Sequence, residues 1–351
     1  MVKQEPVKNY PHKSDGPGKN LVFGGEIDRP AGEDSAEKLD ITHGVIEDGK
    51  ENGVHPKEVL YGHGVSYTPY LVSCQHYLME YNVFMDDIAN PQRYLERMSK
   101  PLQEKLKIAK YIPSGANSLL DVGCADGTVT LALADMFPEM KFVGIDLNAD
   151  FVNMARERIG ERKNVSFEHG YLRERLSNPE KFDVVLFCSV LHEFYSYGEG
   201  ISTIVKALSD AHEILNKGGV LILRDMILYD YADRSELWVE EIKRKVTTKE
   251  EIRHLLVDFE TIFGPIKTIK QLNHFLLKYM YEDNWEREGK ENYVPVSFEQ
   301  YDQIFKLLGM QVLFQRSSTI PYLKEKWTSD FGFSEAELES FRSTGIIVAR
   351  K

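Results

Sequence analysis

The tightest constraint in this chain is a seven-residue turn, Asp121-Val122-Gly123-Cys124-Ala125-Asp126-Gly127, between a short apolar run and a helical pattern. Backbone that turns this tightly needs glycine, which lacks a Cβ and enters left-handed conformations at little steric cost. Residues 118–122 read as a strand, and residues 128–136 as a helix that Pro138 stops. A second strand is expected over residues 141–146, ending on Asp146, 23 residues after Gly123. In open α/β sheets, ligands bind beyond the carboxyl ends of the strands, where the strand order reverses. A carboxylate at the end of the second strand can accept hydrogen bonds from both hydroxyls of a ribose. The spacing is G-x-x-x-G, without the third glycine of a dinucleotide fingerprint, so nothing points to a pyrophosphate. The expected ligand is a nucleoside without phosphates.

The strand–helix rhythm continues. Asn148 or Asp150 can cap a helix. Residues 165–167 make a third strand, and residues 182–188, nearly all apolar, make a fourth that is covered on both faces. Ile201, Ile204, Val205, Leu208 and Leu215 share one helical face, and Lys217-Gly218-Gly219 turns the chain into a fifth strand over 220–225. This pattern predicts an α/β fold with a doubly wound, mostly parallel sheet and helices on both faces. From about residue 228 to 296 the pattern is helical only. Thr248-Lys249-Glu250-Glu251 reads as a capping box ahead of a helix that Gly264-Pro265 stops, and a further helix spans about 268–281. Ser297-Phe298-Glu299-Gln300 is another such box, its helix ending at Gly309, and strands follow at 310–314 and 345–349. Ahead of the first strand, Leu95, Met98, Leu102, Leu106 and Ala109 recur at helical spacing.

Composition narrows the class. With 351 residues, 42% of them hydrophobic, the chain can bury a sizeable core. A net charge of −12 argues against a protein whose main task is to hold nucleic-acid backbone, although a local basic patch stays compatible with it. No apolar run approaches the roughly 18 residues of a membrane span, and the N-terminus has no secretory apolar stretch. The three cysteines, Cys74, Cys124 and Cys188, have neither metal-ligand spacing nor the number for a disulfide framework. The expectation is a reduced, cytoplasmic protein with no metal and no membrane partner. Residues 1–64 hold ten of the 25 glycines, five of the 14 prolines, twelve acidic and eight basic residues. Such a segment buries too little apolar surface to offset its ordering entropy. It reads as a mobile acidic tail, or as an arm or lid that orders over a partner or substrate.

Taken together, Leu119-Leu120-Asp121-Val122-Gly123-Cys124-Ala125-Asp126-Gly127, Gly144-Ile145-Asp146-Leu147, Phe182-Asp183-Val184-Val185 and Leu215-Asn216-Lys217-Gly218-Gly219 resemble the class I S-adenosylmethionine-dependent methyltransferases. The resemblance implies a seven-stranded sheet whose last strand is antiparallel, and S-adenosyl-L-methionine as cofactor. It implies that Gly123, Ala125 and Gly127 line the methionine portion, that Asp121 holds its ammonium, that Asp146 binds the ribose, and that Leu147 packs on adenine. Cys188 and Ser189 would face the sulfonium. One position departs. The family often has Gly-Asp after the third strand, but here the chain reads Gly170-Tyr171-Leu172, so Tyr171, with Leu172, would take over the adenine contact. The resulting division is a tail (1–64), a helical cap (65–115), a methyltransferase core (116–227), a helical insert serving as substrate lid (228–296), and the last helix and two strands of the core (297–351).

Methyl transfer from a sulfonium needs alignment and exclusion of water; a hydroxyl acceptor also needs a base with a pKa near 7. Val190-Leu191-His192-Glu193 follows the fourth strand and resembles the Leu-His-Asp segment of plant-type small-molecule O-methyltransferases, in which that histidine is the general base. The resemblance implies a catalytic role for His192 with Glu193; the alternative is a structural or substrate-orienting histidine. Arg224-Asp225 ends the fifth strand as a substrate clamp or a surface pair. In the insert, Lys278, Tyr279, Tyr281, Trp285, Arg287 and Tyr293 interleave aromatics with cations. Tyr281 and Trp285 are the acceptor contacts expected there, suited to a planar or anionic molecule. Cys188 lacks the Pro-Cys context of a pyrimidine nucleophile, and no Asn-Pro-Pro-Tyr-like run follows the fourth strand. The leading expectation is O-methylation of a small molecule. The alternatives are an RNA or protein acceptor docked through insert and tail, and a non-catalytic cofactor-binding scaffold.

Overall fold

The structure, a computed structural model, describes residues 101–229 and 234–351. The expected tail, most of the expected helical cap and Cys74 lie outside the described residues. Seven strands form one sheet: β1 (Ser118–Val122), β2 (Lys141–Asp146), β3 (Val165–His169), β4 (Phe182–Cys188), β5 (Leu215–Asp225), β6 (Gln311–Ser318) and β7 (Thr344–Arg350). Their order is β3-β2-β1-β4-β5-β7-β6. Pairing is parallel from β3 to β5, whereas β7 runs antiparallel to both β5 and β6. The sheet is therefore mixed, with a single reversed strand. The order reverses between β1 and β4, so the glycine turn after β1 and the segment after β4 open onto one crevice.

Local chemistry explains most element boundaries. Helix α1 (Leu102–Lys105) continues into a 3-10 turn over Leu106–Tyr111, tighter than the α-helix its spacing predicts. Helix α2 (Thr128–Met136) follows the glycine turn. Asn148 caps α3 (Ala149–Glu157), its side chain accepting from the Asp150 and Phe151 amides. After β4 come α4 (Leu191–Tyr197) and α5 (Ile201–Ile214). The insert comprises α6 (Glu236–Thr247), α7 (Arg253–Phe263), α8 (Ile269–Lys278) and α9 (Trp285–Glu288). Thr268 with Gln271 boxes the start of α8, and Ser297 with Gln300 that of α10 (Phe298–Leu307). The box expected at Thr248 does not form: its hydroxyl donates to the Lys245 carbonyl, and a 3-10 turn over Glu250–Ile252 leads into α7.

Three apolar clusters follow from this order. On one face of the sheet, Leu191, Leu208, Ala211, Tyr301 and Phe305 from α4, α5 and α10 cover Val122, Val185, Phe187 and Leu223. On the other, Ile108, Leu131, Ala134 and Val152 cover Leu119, Phe142, Leu186 and Ile222. Each fully buried Val, Leu, Ile or Phe side chain among them contributes about 1.5–3 kcal/mol. The third cluster is helical: Val239, Ile242, Leu255, Phe259, Leu272 and Phe275 of the insert. It also takes Trp327 and Phe331 from α11 (Pro321–Phe331) and Leu338 from α12 (Glu335–Leu338), both lying between β6 and β7. The sequence reading missed these two helices. They pack with the insert: Asn273 exchanges hydrogen bonds with the Arg342 backbone, and Trp327 Nε1 donates to the Leu276 carbonyl at 3.2 Å.

Candidate active site

The turn after β1 is held by its own backbone geometry and by one carboxylate. Gly123 and Gly127 both take left-handed φ values, +72° and +74°. A Cβ on Gly123 would collide with the Val190 side chain, and one on Gly127 with the Phe167 ring. The glycines are thus required by neighbouring side chains as well as by the turn, a reason the sequence does not display. Ala125, at φ +47°, adopts a left-handed conformation that a non-glycine residue reaches only at a cost of about 1 kcal/mol. Its amide donates to Asp146 Oδ2 at 2.7 Å, while Asp146 Oδ1 accepts from the Asn148 amide at 2.9 Å. Asp146 therefore ties the glycine turn to the start of α3. Each of its oxygens keeps a second lone pair for an incoming hydroxyl. Burial raises its pKa despite these bonds. Asp126 Oδ1 accepts from the Thr128 amide and hydroxyl at the first residue of α2, and Asp126 pairs with Arg158.

Asp121 is buried at the end of β1. Its Oδ2 accepts from the Thr130 hydroxyl at 2.6 Å, and its Oδ1 has no partner. Burial pushes its pKa up to about 7, against the opposing pull of Thr130 and Lys105. A buried carboxylate oxygen without a donor is costly, and the ammonium of an amino-acid head group would satisfy it. Leu147 is half-buried after β2, its carbonyl bonded by His169 Nε2 at 3.0 Å. Tyr171 is half-buried, and its amide donates to Glu174 Oε2 at 3.0 Å. Leu172 is buried and packs into the sheet core. Cys188 is buried, with burial raising its thiol pKa, and Ser189 beyond it takes φ +62°. Asp146, the glycine turn and Ser189 thus sit together at the carboxyl ends of β2, β1 and β4, with a donor and acceptor set that fits S-adenosylmethionine.

A second group assembles beside it. His192 Nδ1 donates to Asp225 Oδ1 at 2.8 Å, and the His192 amide donates to Asp225 Oδ2 at 3.1 Å. Asp225 is 3% exposed and Arg224 5%, so the surface-pair reading of these two residues falls. They lie on opposite faces of β5: Asp225 meets His192, whereas Arg224 donates to Ser189 and Thr344 hydroxyls. Burial by itself lowers the His192 pKa. The charge and hydrogen bond of Asp225, with Glu193 and Glu291, outweigh it and push the pKa up to about 9. For Asp225 burial alone would raise the pKa, but the His192 partner holds it below the usual range. His192 Nε2 has no hydrogen-bond partner among the described residues, and its ring meets Tyr293 edge-on, with centroids 5.3 Å apart.

The insert completes this group. Arg287 Nη2 lies 3.5 Å from Glu193 Oε1 and 2.9 Å from Glu291 Oε1, and Tyr197 donates to Glu291 at 2.9 Å. Burial, then the Glu291 charge, push Glu193 up to about 7. His192, Glu193 and Glu291 bring ligand atoms within 4.8 Å of one another, a spacing a divalent cation accepts. Here the Arg287 guanidinium supplies positive charge to both acids. Lys278 is fully buried. Its ammonium donates to the Glu288 and Glu291 carbonyls and lies over the Phe263 and Tyr293 rings at 4.9 and 4.6 Å. Of the acceptor contacts expected in the insert, Trp285 packs into the helical core and Tyr281 lies within electrostatic reach of Tyr293. The residues that reach His192 and Glu193 are Tyr293, Glu291 and Arg287. Asp225 and Glu291 were not read as its partners from sequence: only the β4–β5 register and the insert fold bring them there.

Comparison with known proteins finds methyltransferases. The methyltransferase domain family matches residues 120–221. Probable methyltransferase ltbC of Aspergillus luteorubrus is 30% identical over 139 residues, covering 36% of this chain and 48% of that protein. Release factor glutamine methyltransferase of Aliivibrio fischeri is 32% identical over 78 residues, 22% of this chain and 28% of that protein. Strychnine O-methyltransferase of Strychnos nux-vomica is 30% identical over 119 residues, 34% of this chain and 31% of that protein. The matches thus span about half or less of the length of these relatives. Residues 120–221 thus form a methyltransferase domain of the class I type, whose cofactor is S-adenosylmethionine. No helix of the described residues is long and apolar enough to cross a membrane.

Proposed function

We propose that this protein methylates a hydroxyl group of a small-molecule acceptor. The observation that carries the reading is the buried His192–Asp225 pair, 2.8 Å apart, in the crevice that also holds the glycine turn. When bound, S-adenosylmethionine supplies a methyl group already activated on a sulfonium. The protein's own residues then have three tasks. Asp121, the Gly123–Gly127 turn, Asp146 and Leu147, with Tyr171 and Leu172 at the adenine end, hold and orient the nucleoside. The insert excludes water from the crevice. Asp225 fixes His192 with Nδ1–H toward its carboxylate, which leaves Nε2 to take the proton of an acceptor hydroxyl.

The charge around His192 tunes that step. A base with a pKa of about 9 is closer to a phenol-type hydroxyl, roughly 10, than free imidazole is. The cost is that only about 1% of molecules hold a neutral His192 at pH 7. Methyl transfer should therefore rise with pH toward about 9. Lys278 and Arg287 are buried and engaged within the insert, which favours a small acceptor over a phosphate backbone. Strychnine O-methyltransferase, by its name, is an O-methyltransferase too.

The test is incubation of the full chain with methyl-labelled cofactor and a panel of hydroxylated small molecules, RNA and protein. Label in a hydroxylated acceptor, lost by about 10²-fold or more in His192→Gln, is expected. Label confined to RNA or protein, or His192→Gln activity within a few-fold of the parent, overturns the reading. No transfer to any acceptor leaves a cofactor-binding scaffold.

A further inference from the structure

A lysine at the end of a helix ordinarily reaches solvent, because its ammonium is costly to bury. Lys278, the last residue of α8, is instead fully buried. Its ammonium donates to two backbone carbonyls, those of Glu288 and Glu291, and forms no ion pair among the described residues. Glu288 ends α9 and Glu291 lies three residues on, where carbonyls have no partner inside the helix. The segment held in this way is the one that meets His192. A Glu291 carboxylate oxygen lies within 4.8 Å of a His192 ring nitrogen. Tyr293 sets its ring edge-on to His192 and donates its hydroxyl to Glu288 Oε2 at 2.6 Å. Between them, the Asn292 amide donates to Ser196 Oγ at 2.8 Å, and that hydroxyl donates to the His192 carbonyl at 2.6 Å. On the α8 side, His274 Nε2 accepts from the Tyr293 amide at 3.2 Å. Residues 288–293 are thus fastened to α4, which carries His192, and to α8, which carries Lys278.

A methionine side chain would fill nearly the same space with no charge to bury, so packing does not call for lysine here. A donor that reaches two carbonyls at once does something methionine cannot: it fixes the path of the chain between them. We propose that Lys278 is a positioning residue for proton transfer, its ammonium clamping the backbone of residues 288–291 against α8 and so holding Glu291 and Tyr293 on His192. This rests on the functional reading above and deepens it, because the basicity of His192 then depends on a residue that does not touch it. The titratable and charged groups around His192 are Asp225 on β5, Glu193 on its own helix, Glu291 and Tyr293 in the insert, with Arg287 between the two glutamates, and His274 on α8. Burial, then the Lys278 charge, hold His274 well below its ordinary pKa, so it adds no charge. Of the groups that raise the His192 pKa, Glu291 is the one whose backbone Lys278 holds.

A double-mutant cycle on the full chain tests this, with Lys278→Met, Glu291→Gln and the two combined. His192 is titrated by NMR in ring-labelled protein, its signal assigned by its loss in His192→Gln. Glu291→Gln should lower the proton affinity of His192 by about three-fold or more, since the Glu291 charge helps to hold it up. Lys278→Met should lower it too, although it removes a positive charge, and the combined variant should match Glu291→Gln within about two-fold. Loss of a cation alone would raise the proton affinity of His192. An unchanged or raised value in Lys278→Met, or effects that simply add in the combined variant, therefore overturns the inference. Binding of S-adenosylhomocysteine within about three-fold of the parent reports a folded core in each variant. Lys278→Gln, which keeps one donor, should lower the affinity by about two-fold, and it carries the cycle if Lys278→Met fails the folding check. The pH profile of methyl transfer should move down with the titration while KM for S-adenosylmethionine holds. If His192 titrates as expected but no hydroxyl is methylated, the functional reading falls and the clamp stands; if methyl transfer needs His192 but its titration ignores Lys278, only the present inference falls.

Discussion

The two ends of the proposed site are built differently. The nucleoside end is local: Asp121, Gly123, Ala125, Gly127 and Asp146 fall within 26 residues of sequence and are held largely by backbone hydrogen bonds. The proton-transfer end is assembled from three distant segments, with His192 and Glu193 after β4, Asp225 at the end of β5, and Lys278, Arg287 and Glu291 in the insert. Its members are buried charges that compensate one another. A site of the first kind tolerates the loss of one contact. A site of the second kind does not, because each deletion leaves another charge buried and unpaired.

The largest expected effects lie at the distributed end. Replacing His192 with Gln should lower methyl transfer by about 10²–10⁴-fold at saturating cofactor, measured with labelled S-adenosylmethionine, while cofactor affinity holds. Arg287→Ala leaves Glu193 and Glu291 without their buried cation. It should cost about 3–5 kcal/mol in denaturant unfolding, far more than any single change in the glycine turn. If that loss is below about 1 kcal/mol, the cluster is not mutually compensating and the contrast fails.

A pH experiment sharpens the comparison. His192 is pushed up to about 9 from an ordinary 6.5. The stability it contributes is fully present below about pH 6.5 and is lost as pH rises toward 9. Between pH 6.5 and 8 the His192 share of the unfolding free energy should fall by about 1 kcal/mol per pH unit, and Asp121, Glu193 and Glu288, each raised to about 7, add to the fall in the lower part of that window. Lys278, lowered to about 8, opposes this trend only above that window. Asp225→Asn removes the cause of the upward shift and should flatten the slope, which paired denaturation curves at the two pH values would show.

Smaller effects are expected at the nucleoside end. Asp146→Ala removes one acceptor from the Ala125 amide and one from the Asn148 amide; it should cost about 1–2 kcal/mol of stability as well as nucleoside binding, read by melting with and without S-adenosylhomocysteine. Ala125→Gly relieves a left-handed alanine, so its stability should stay within about 1 kcal/mol of the parent.

Legibility in the sequence follows the same division. The five parallel strands, the Asn148 cap, the helix that starts near Thr268 and the box at Ser297 were readable because hydrophobic period and capping are properties of consecutive residues. The helices between β6 and β7 were missed: their apolar residues answer to the insert, and nothing nearby in sequence signals that contact. Thr248 imitated a cap because a box is defined by spacing, whereas the bond it makes depends on where the preceding helix ends. Trp285 lies against the helical core, a placement that aromatic–cation interleaving serves as readily as a ligand contact.

By itself, then, the sequence determined the α/β order, the nucleoside turn and the position of His192, since each is written within a few adjacent residues. Only the tertiary structure decided that Asp225 orients that histidine, that Arg287 and Lys278 are interior charges, and that Lys105 lies within electrostatic reach of Asp121 and Arg224. The wider of those pairings run from 33 positions, for His192 and Asp225, to 119, for Lys105 and Arg224. Whether a charge is paired or orphaned depends on what folding places beside it once water has been removed.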